Sequence, residues 1–340
     1  MSTQLTVHRV GPGVTVQDLG RPNMAGSGLS TGGAVDRLAV LEAAALLGAK
    51  TPLAGLELGG LGGVFSVSAP TRFALTGAPM RADINGEALR WNCSHVLLPD
   101  QRLTIGAAEA GSYGYLTLAG GIAGPKFLGS PSAHLAAGLG ATLVEGQTLA
   151  LLLDTDFDRP PMALQVSSRC AGGTVRFTKG PQTALFDTEA IERFIASSFT
   201  RSAIGNRQGA RLDQDGTAFT CAGASGLASD LIIAGDIQMT GDGVPYVLLA
   251  ECQTIGGYPR IGTVIPADLA LVAQARPGTK LRFRMISLEE ADRTRRSDAQ
   301  LLRELRAQVR PAIRDPRDIP DLLGYQLIGG VISGDEGEGA

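Results

Sequence analysis

The chain has 340 residues, with 30 basic and 33 acidic side chains and a formal net charge of -3. Hydrophobic residues make up 44% of the chain and charged residues 19%, which excludes an intrinsically disordered protein. The slightly negative charge argues against bulk electrostatic attraction to nucleic acid or to an anionic membrane surface. The high glycine count, 46, together with few aromatic residues favours short strands that are joined by tight turns.

Nothing in the sequence predicts export, membrane insertion or a metal site. The N-terminal segment MSTQLTVHRVGPG has no apolar block of signal-peptide length, and no run reaches the roughly 18 apolar residues that span a bilayer. The cysteines are widely spaced and form no zinc-binding pattern with the histidines. We therefore predict a cytoplasmic protein without a metal, whose cysteines are small buried residues rather than nucleophiles.

The first half of the chain is predicted to be rich in β-strands. Alternating apolar residues predict strands at 14–16, 64–67, 73–76, 103–105 and 113–118. One helix interrupts them: Asp36 can accept the free N–H groups at its start, residues 38–47 are rich in Ala and Leu, and Gly48 ends it.

A polar, proline-rich segment near residues 155–172 predicts a boundary between two domains, 1–155 and 172–286. In the second half the apolar patterns predict strands at 174–177, 230–233, 245–250 and 281–285, and helices at 189–197 and 266–274.

Residues 287–340 form a third segment, a helical tail. Ser287 and Glu290 fit a capping box, and one amphipathic helix is predicted from there to Arg310, ending before Pro311. Its apolar face comprises Leu301, Leu302, Leu305 and Val309. The last residues, 334–340, are expected to be frayed. The predicted fold class is thus mainly β with some α and a C-terminal amphipathic helix.

The familiar catalytic and phosphate-binding motifs are absent: there is no P-loop and no nucleophile elbow. What remains are polar clusters in glycine-rich turns. The first cluster places Gln17, Asp18 and Arg21 on one short loop, where they can orient an amide or carboxylate through a forked Arg21 contact. The alternative is a self-satisfied loop in which Asp18 pairs with Arg21.

Two further clusters lie in the second half. Asn206, Arg207 and Arg211 predict either an anion site or a hairpin loop with surface arginines. The other cluster follows an apolar strand, and its donors and acceptors surround a flexible glycine pair; its members are Gln238, Gln253, Thr254, Gly256, Gly257 and Tyr258. Cys252 lies beside it, but no histidine is near in sequence to activate its thiol.

At these residues the sequence resembles the biotin-dependent carboxyltransferase-like family that contains the C subunit of bacterial 5-oxoprolinase, formerly labelled the second subunit of allophanate hydrolase. The resemblance covers roughly residues 8 to 285, and the motifs occur in the family's order. They are GPG at 11–13, VQDLGRP at 16–22, GGAVD at 32–36, ALTGA at 74–78, LGS at 128–130, NR at 206–207, GDIQ at 235–238 and QTIGGYP at 253–259. One departure is Pro131, which stands between Ser130 and Ser132 where relatives often have arginine.

The resemblance implies two cyclophilin-like β-barrel domains and a hydrolase built from several subunits. With 5-oxoprolinase subunits A and B, such proteins open the lactam of 5-oxoproline to L-glutamate at the cost of ATP, which the assembly binds without a P-loop in this chain. Under this function we predict a cleft at which distant loops meet. Its catalytic residues would be Gln17, Asp18, Arg21, Gln253, Thr254 and Tyr258, and its substrate-binding residues Asp36, Asn206, Arg207, Gln238, Gly256 and Gly257.

Within that predicted cleft, Arg21 and Arg207 would hold a carboxylate or phosphate, so alanine at either position should lower activity more than stability. Asp18 and Asp36 are the leading candidates for a general base, although Asp36 fits a helix cap equally well.

Two alternative functions stay open. The first is a carboxyltransferase that moves a carboxyl group from biotin to urea or a similar amide. The biotin would arrive on another protein, because no lysine here has a methionine neighbour. The second is a non-catalytic regulatory module that acts with a kinase-inhibitor partner, as the resemblance to a protein of sporulating bacteria implies.

Overall fold

The computed structural model describes residues 3–221 and 227–312, and strands dominate it. The strands of the first half are β1 (Gln4–Val10), β2 (Thr15–Gln17), β3 (Gly55–Gly59), β4 (Leu61–Val67), β5 (Thr71–Gly77), β6 (Met80–Ile84), β7 (Glu87–Ala88), β8 (Cys93–Leu97), β9 (Leu103–Ala108), β10 (Tyr113–Leu118), β11 (Thr148–Ala150) and β12 (Met162–Ala163). Those of the second half are β13 (Gly173–Thr178), β14 (Ser198–Gly205), β15 (Gly209–Asp213), β16 (Asp230–Leu231), β17 (Asp236–Met239), β18 (Pro245–Leu248), β19 (Ile255–Gly256), β20 (Arg260–Val264), β21 (Lys280–Met285) and β22 (Arg310–Pro311).

Five α-helices lie among the described residues: α1 (Arg37–Leu47), α2 (Thr188–Ala196), α3 (Leu269–Gln274), α4 (Leu288–Thr294) and α5 (Asp298–Gln308). A 3₁₀ turn, Pro266–Asp268, precedes α3, so the helix predicted at 266–274 begins with a tighter turn. In the described part of the chain, no helix has the length and apolarity to cross a bilayer.

The first half is built from two sheets around one core. One sheet has the strand order β11-β1-β4-β9-β6-β7. The other has the order β2-β3-β10-β5-β8-β12, and β22 from the C-terminal segment adds to its edge beside β12. Side chains from both sheets point inward, as a half-buried strand requires, and they share one apolar cluster that includes Leu5, Phe65, Phe73, Leu103 and Leu116. In the first half, these two sheets pack over one core in place of a single continuous ring of paired strands.

The second half is a closed barrel of seven strands in the order β13-β20-β17-β18-β15-β14-β21. Its interior is rich in phenylalanine, with Phe194 from α2 at the centre of the cluster. The Phe194 ring centroid lies 4.9 Å from that of Phe199 and 5.1 Å from that of Phe283. The mainly β fold class is therefore confirmed, with a barrel in the second half.

Helix α1 begins and ends where the sequence predicts. The Asp36 side chain accepts a hydrogen bond from the Ala39 N–H at 3.3 Å, and Gly48 follows the last turn in the left-handed conformation, with φ of 74°. Nearly all residues of the helix are buried, because it lies on β5 and is covered by α5.

The prediction of a single tail helix is wrong. Ser287 does cap α4, accepting from the Glu290 N–H at 3.1 Å, but α4 ends at Thr294. Ser297 then starts α5 with a full capping box to Gln300, so a second cap in the sequence divides the segment. The predicted apolar face packs against α1 through the buried Leu302. Residues 334–340 lie outside the described residues.

An ion pair within the first half holds the chain just before the polar segment of the predicted boundary. Arg72 Nε lies 2.7 Å from Asp154 Oδ2, and Arg72 Nη2 lies 2.6 Å from Asp154 Oδ1. Burial alone would raise the pKa of Asp154, but the hydrogen bonds from Arg72 and from the Asp156 N–H, with the charge of Arg72, lower it below its ordinary value. The ionised carboxylate therefore stabilises the fold.

We expect Asp154→Asn to lower the free energy of unfolding at pH 7 by about 1.5–3 kcal/mol, the usual contribution of a hydrogen bond to a charged group. A depressed carboxyl pKa contributes stability above the unfolded-state value and loses it as the pH falls through the folded-state value. The difference from wild type should thus hold from pH 7 to 5 and shrink below the ordinary pKa of 3.8. Urea titrations across this range measure it, with the exposed Asp158→Asn as control; equal loss in both variants would contradict the prediction.

Candidate functional site

Two clefts lie among the predicted residues. The junction cleft has a volume of about 570 Å³ and is lined by both halves of the chain. The first half contributes residues between Leu19 and Arg37, and the second half contributes 232–234, Ala250, Thr254 and Leu269. The Gly32 N–H donates to the Ala250 carbonyl at 3.0 Å, and this hydrogen bond joins the two halves of the chain in the lining of the cleft.

The second cavity, the barrel cleft, has a volume of about 370 Å³ and opens on the second half. Its polar lining consists of neutral groups: Asn206, Gln208, Gln238, Thr240, Tyr246, Gln253 and Tyr258. Apolar side chains complete the wall: Ile204, Ile232 and Leu248. Among the described lining residues none carries a charge, so the cleft is suited to a small neutral amide rather than to a phosphate.

The structure brings together part of the predicted set. Asn206, Gln238, Gln253 and Tyr258 line the barrel cleft, whereas Thr254 faces the junction cleft. The glycine pair lies alongside: a Cβ at Gly256 would come within 3.0 Å of Gln238 Nε2, and Gly257 is exposed. The single cleft expected for the whole set is therefore replaced by two neighbouring ones. Ile232 lines both of them.

Arg21 does not face either cleft. Only 1% of the residue is exposed, and its donors bind the loop at 127–132. Nε donates to the Phe127 carbonyl at 2.8 Å, Nη1 to Ser132 Oγ at 3.0 Å, and Nη2 to the carbonyls of Ser130 and Ser132. Burial lowers the pKa of Arg21, and the charges of Asp18 and Glu251 partly offset this. The guanidinium clamps a loop instead of holding a substrate carboxylate.

The neighbours of Arg21 are also engaged within the protein. Asp18 Oδ1 accepts from the Gly20 N–H at 2.7 Å and from Ser130 Oγ at 2.6 Å, so both Asp18 and Arg21 bind the same loop without pairing to each other. Gln17 is fully buried, and its Nε2 donates to Thr15 Oγ1 at 2.9 Å and to a carbonyl at 3.2 Å. These side chains support the wall of the junction cleft, to which Gly20 belongs.

Arg207 joins the two halves of the molecule. It lies in the β14–β15 hairpin, yet it is buried, unlike Arg211 in the same hairpin, which pairs with Asp213 near the surface. Arg207 Nη1 binds a carboxylate oxygen of Glu57, and its Nε lies 2.7 Å from Glu251 Oε1. Burial lowers the pKa of Arg207, and Glu251 raises it. Arg207 thus binds protein carboxylates rather than a ligand.

Glu57 was not among the residues predicted from the sequence, because it is 150 residues away from Arg207. Its Oε2 also accepts from the Val35 N–H at 2.9 Å and from the Tyr115 hydroxyl at 2.7 Å. Glu57 stands between two leucines in β3, and a charged residue inside such a short apolar strand is the one signal that could have identified it.

Asp36 acts as a helix cap in the structure and is not available as a base. It is fully buried, and its Oδ2 accepts from Arg169 Nε at 2.6 Å and from Gln274 Nε2 at 2.7 Å. The same guanidinium donates to both carboxylate oxygens of Glu42 at 2.8 Å. Burial raises the pKa of Glu42, although Arg169 opposes this. This network holds the boundary segment, α1 and α3 together.

Cys252, which lines the barrel cleft, has no reactive thiolate. Burial and the charge of Asp236 raise the pKa of its thiol to about 12. Within the described residues no cluster of histidine, cysteine, aspartate and glutamate has the arrangement of a metal site.

Comparison with known proteins places this architecture in a family. The sequence matches the family described as carboxyltransferase domain, subdomain A and B, over residues 27–285. It is 34% identical over 312 residues to the C subunit of 5-oxoprolinase from Escherichia coli (strain K12), covering 88% of this chain and 97% of that protein. It is also 28% identical over 311 residues to the urea amidolyase of Lachancea kluyveri, covering 83% of this chain and 17% of that protein.

Solved structures agree with these matches. The crystal structure of TTHA0988 superposes with a TM-score of 0.74 at 28% identity, covering 83% of this chain and 56% of that one. The fold also matches the Kluyveromyces lactis urea carboxylase, with a TM-score of 0.79 at 23% identity over 92% of this chain and 31% of that one. With a match over most of its length, the chain belongs to the family of carboxyltransferase domains with subdomains A and B.

Proposed function

We propose that this protein is a subunit of a multi-subunit, ATP-dependent 5-oxoprolinase that opens the lactam of 5-oxoproline to L-glutamate in the cytoplasm. The observation that carries the proposal is its 34% identity with the E. coli protein named as the C subunit of 5-oxoprolinase, which extends over 97% of that protein. The name of that relative implies further subunits, and we propose subunits A and B as partners in a hetero-oligomer. The four cysteines are free thiols, which suits a reducing compartment.

The barrel cleft offers chemistry that matches a lactam. A lactam ring presents an N–H donor beside a C=O acceptor, and a carboxamide side chain can bond to both. Asn206, Gln238 and Gln253 supply such carboxamides, and Tyr258 adds a hydroxyl. When the ring opens, negative charge develops on the lactam oxygen, and fixed donors that point at this oxygen lower the barrier. The proposal assigns that role to these side chains.

Under this proposal, ATP binds outside the barrel cleft. The described lining of the barrel cleft contains no lysine or arginine, and Arg21 and Arg207 are both committed to protein groups. Nothing in this cleft would balance the charge of a triphosphate. We therefore assign ATP binding to the assembly with its partner subunits, and binding of the substrate's uncharged lactam group to this chain.

A second candidate is the carboxyltransferase reaction, in which a carboxyl group moves from biotin on another protein to urea or a similar amide. The match to the Lachancea kluyveri urea amidolyase favours it. Urea is a small neutral amide and suits the uncharged lining of the barrel cleft. 5-Oxoproline also carries a carboxylate, which under the first proposal points out of this cleft toward solvent or a partner subunit.

Reconstitution distinguishes the two candidates. The protein is co-purified with the products of its neighbouring genes, and the assembly is assayed for ATP-coupled release of glutamate from 5-oxoproline. Turnover that requires this chain supports the proposal. No turnover, together with carboxylation of urea when carboxybiotin is supplied, would replace it with the second candidate. Neither activity, with tight binding to a kinase inhibitor, would favour the regulatory alternative.

Gln253→Ala should lower kcat/KM of the active assembly about 100-fold, the usual loss when one donor to a developing oxyanion is removed. Gln253 is exposed, so the free energy of unfolding should change by less than about 0.5 kcal/mol. Steady-state kinetics and urea denaturation measure the two effects. Gln214→Ala, on the same barrel but outside both clefts, is the matched control. Wild-type kinetics in the Gln253 variant would remove this residue from the site.

A further inference from the structure

A serine and a histidine meet at the wall of the junction cleft. Ser30 Oγ lies 2.8 Å from His134 Nε2, although the two residues are 104 positions apart in the chain. Ser30 lines the cleft, whereas His134 is buried behind it with 3% of its surface exposed. This is the distance at which an imidazole can take the proton of an attacking hydroxyl group.

The imidazole is held in place by packing. The backbone N–H of His134 donates to the Leu139 carbonyl at 2.8 Å. A Cβ at Gly32 would come within 2.9 Å of His134 Cδ2, so only glycine at position 32 leaves room for the ring. Nδ1 is buried without a hydrogen-bond partner. With the proton on Nδ1, Nε2 has a free electron pair that accepts the Ser30 hydroxyl proton.

The protonation state suits a base. Burial lowers the pKa of His134 below its ordinary value of 6.5; the charge of Glu251 acts in the opposite direction, and the charge of Arg21 lowers the pKa further. The ring is therefore neutral at pH 7 and able to accept a proton.

We propose that Ser30 and His134 form a nucleophile–base pair and that the junction cleft is a site of acyl transfer for a small carboxylic ester. The remainder of the lining supports an apolar acyl group, because Leu19, Val35 and Ile233 face the same space as Ser30. The proposal is independent of the amide that the barrel cleft binds.

The chemical step balances without a cofactor. Ser30 Oγ attacks the ester carbonyl carbon and forms a new C–O bond while its proton moves to His134 Nε2. The bond to the leaving alkoxide then breaks, and the alkoxide takes that proton. Water attacks the acyl-serine in the same way, with His134 as the base, and releases the carboxylic acid and free Ser30.

The chain provides its own matched control. His8 Nε2 and Ser66 Oγ are also 2.8 Å apart, but this pair lies on neighbouring strands β1 and β4 and lines neither cleft. The distance between serine and histidine is thus the same in both places, and of the two serines it is Ser30 that lines the junction cleft.

The test is reaction of the purified full-length chain with a fluorophosphonate probe, which loses fluoride as its phosphorus bonds to a reactive serine. Peptide mass spectrometry should locate the adduct on Ser30. Ser30→Ala should abolish it, and His134→Gln, which keeps a hydrogen-bonding group but no base, should slow it about 100-fold. Ser66→Ala should label at the wild-type rate. The wild-type rate should fall as the pH drops through a value below 6.5, where His134 becomes protonated.

Several results would overturn the proposal: no adduct on Ser30, equal labelling of Ser66, or an unchanged rate in His134→Gln. The mass-spectrometric location needs no variant, so it decides the question even if Ser30→Ala does not fold. If the reconstituted assembly shows no 5-oxoprolinase turnover but the chain is still labelled on Ser30, only the proposed function is contradicted, because labelling does not use the barrel cleft.

Discussion

Arg207→Ala is expected to lower the free energy of unfolding by about 3–5 kcal/mol, because it leaves two buried carboxylates without their cation. Glu57 and Glu251 are each only 2–3% exposed, and both bind Arg207. This expectation is the opposite of the interpretation from sequence, that alanine here would affect activity more than stability. Urea denaturation of the isolated chain measures the loss.

The control for this variant is Arg211→Ala, in the same hairpin. Arg211 pairs with a half-exposed Asp213, and such surface pairs contribute little to stability. Similar unfolding midpoints for Arg207→Ala and wild type would show that the two glutamates do not depend on this guanidinium.

Arg169→Ala should be comparably destabilising at pH 7, by about 3–5 kcal/mol, because Asp36 and Glu42 would lose the cation they share. Glu42 is almost completely buried, and burial raises its pKa against the opposing charge of Arg169, so loss of Arg169 should raise the folded-state pKa of Glu42 further. A carboxyl group whose folded-state pKa is raised stabilises the fold below its unfolded-state pKa and loses this contribution as the pH rises.

The deficit of Arg169→Ala relative to wild type should therefore be smaller at pH 5 than at pH 7. Urea denaturation at the two pH values measures this, with Arg284→Ala as control, since Arg284 pairs with Glu290 at the surface. A deficit that is equal at both pH values would contradict the assigned carboxylate titration.

Local signals predicted local structure well. The Asp36 cap and Gly48 bracket α1 because both act within one turn of the helix, and the apolar spacing of the tail identified the face that packs on α1. The break at Ser297 was missed, because a polar residue that can cap a helix is also tolerated within one.

Partners distant in the chain could not be predicted. The sequence shows that Arg21 and Arg207 are cations in polar turns, but the carbonyls that Arg21 binds lie 106–111 residues away. Only the folded chain shows whether such a guanidinium is already satisfied. The barrel cleft was partly predicted, because Gln253 and Tyr258 closely follow the apolar β18, and the barrel brings Asn206 and Gln238 to the same place.

The packing of α5 on α1 has a consequence for synthesis on the ribosome. Arg37 and Asp298, which pair across this contact, are 261 residues apart. At about 5–20 residues per second, the apolar side of α1 waits on the order of tens of seconds before α5 is translated. During that interval the nascent chain presents this surface to chaperones, so we expect the yield of native protein in the cell to depend on them.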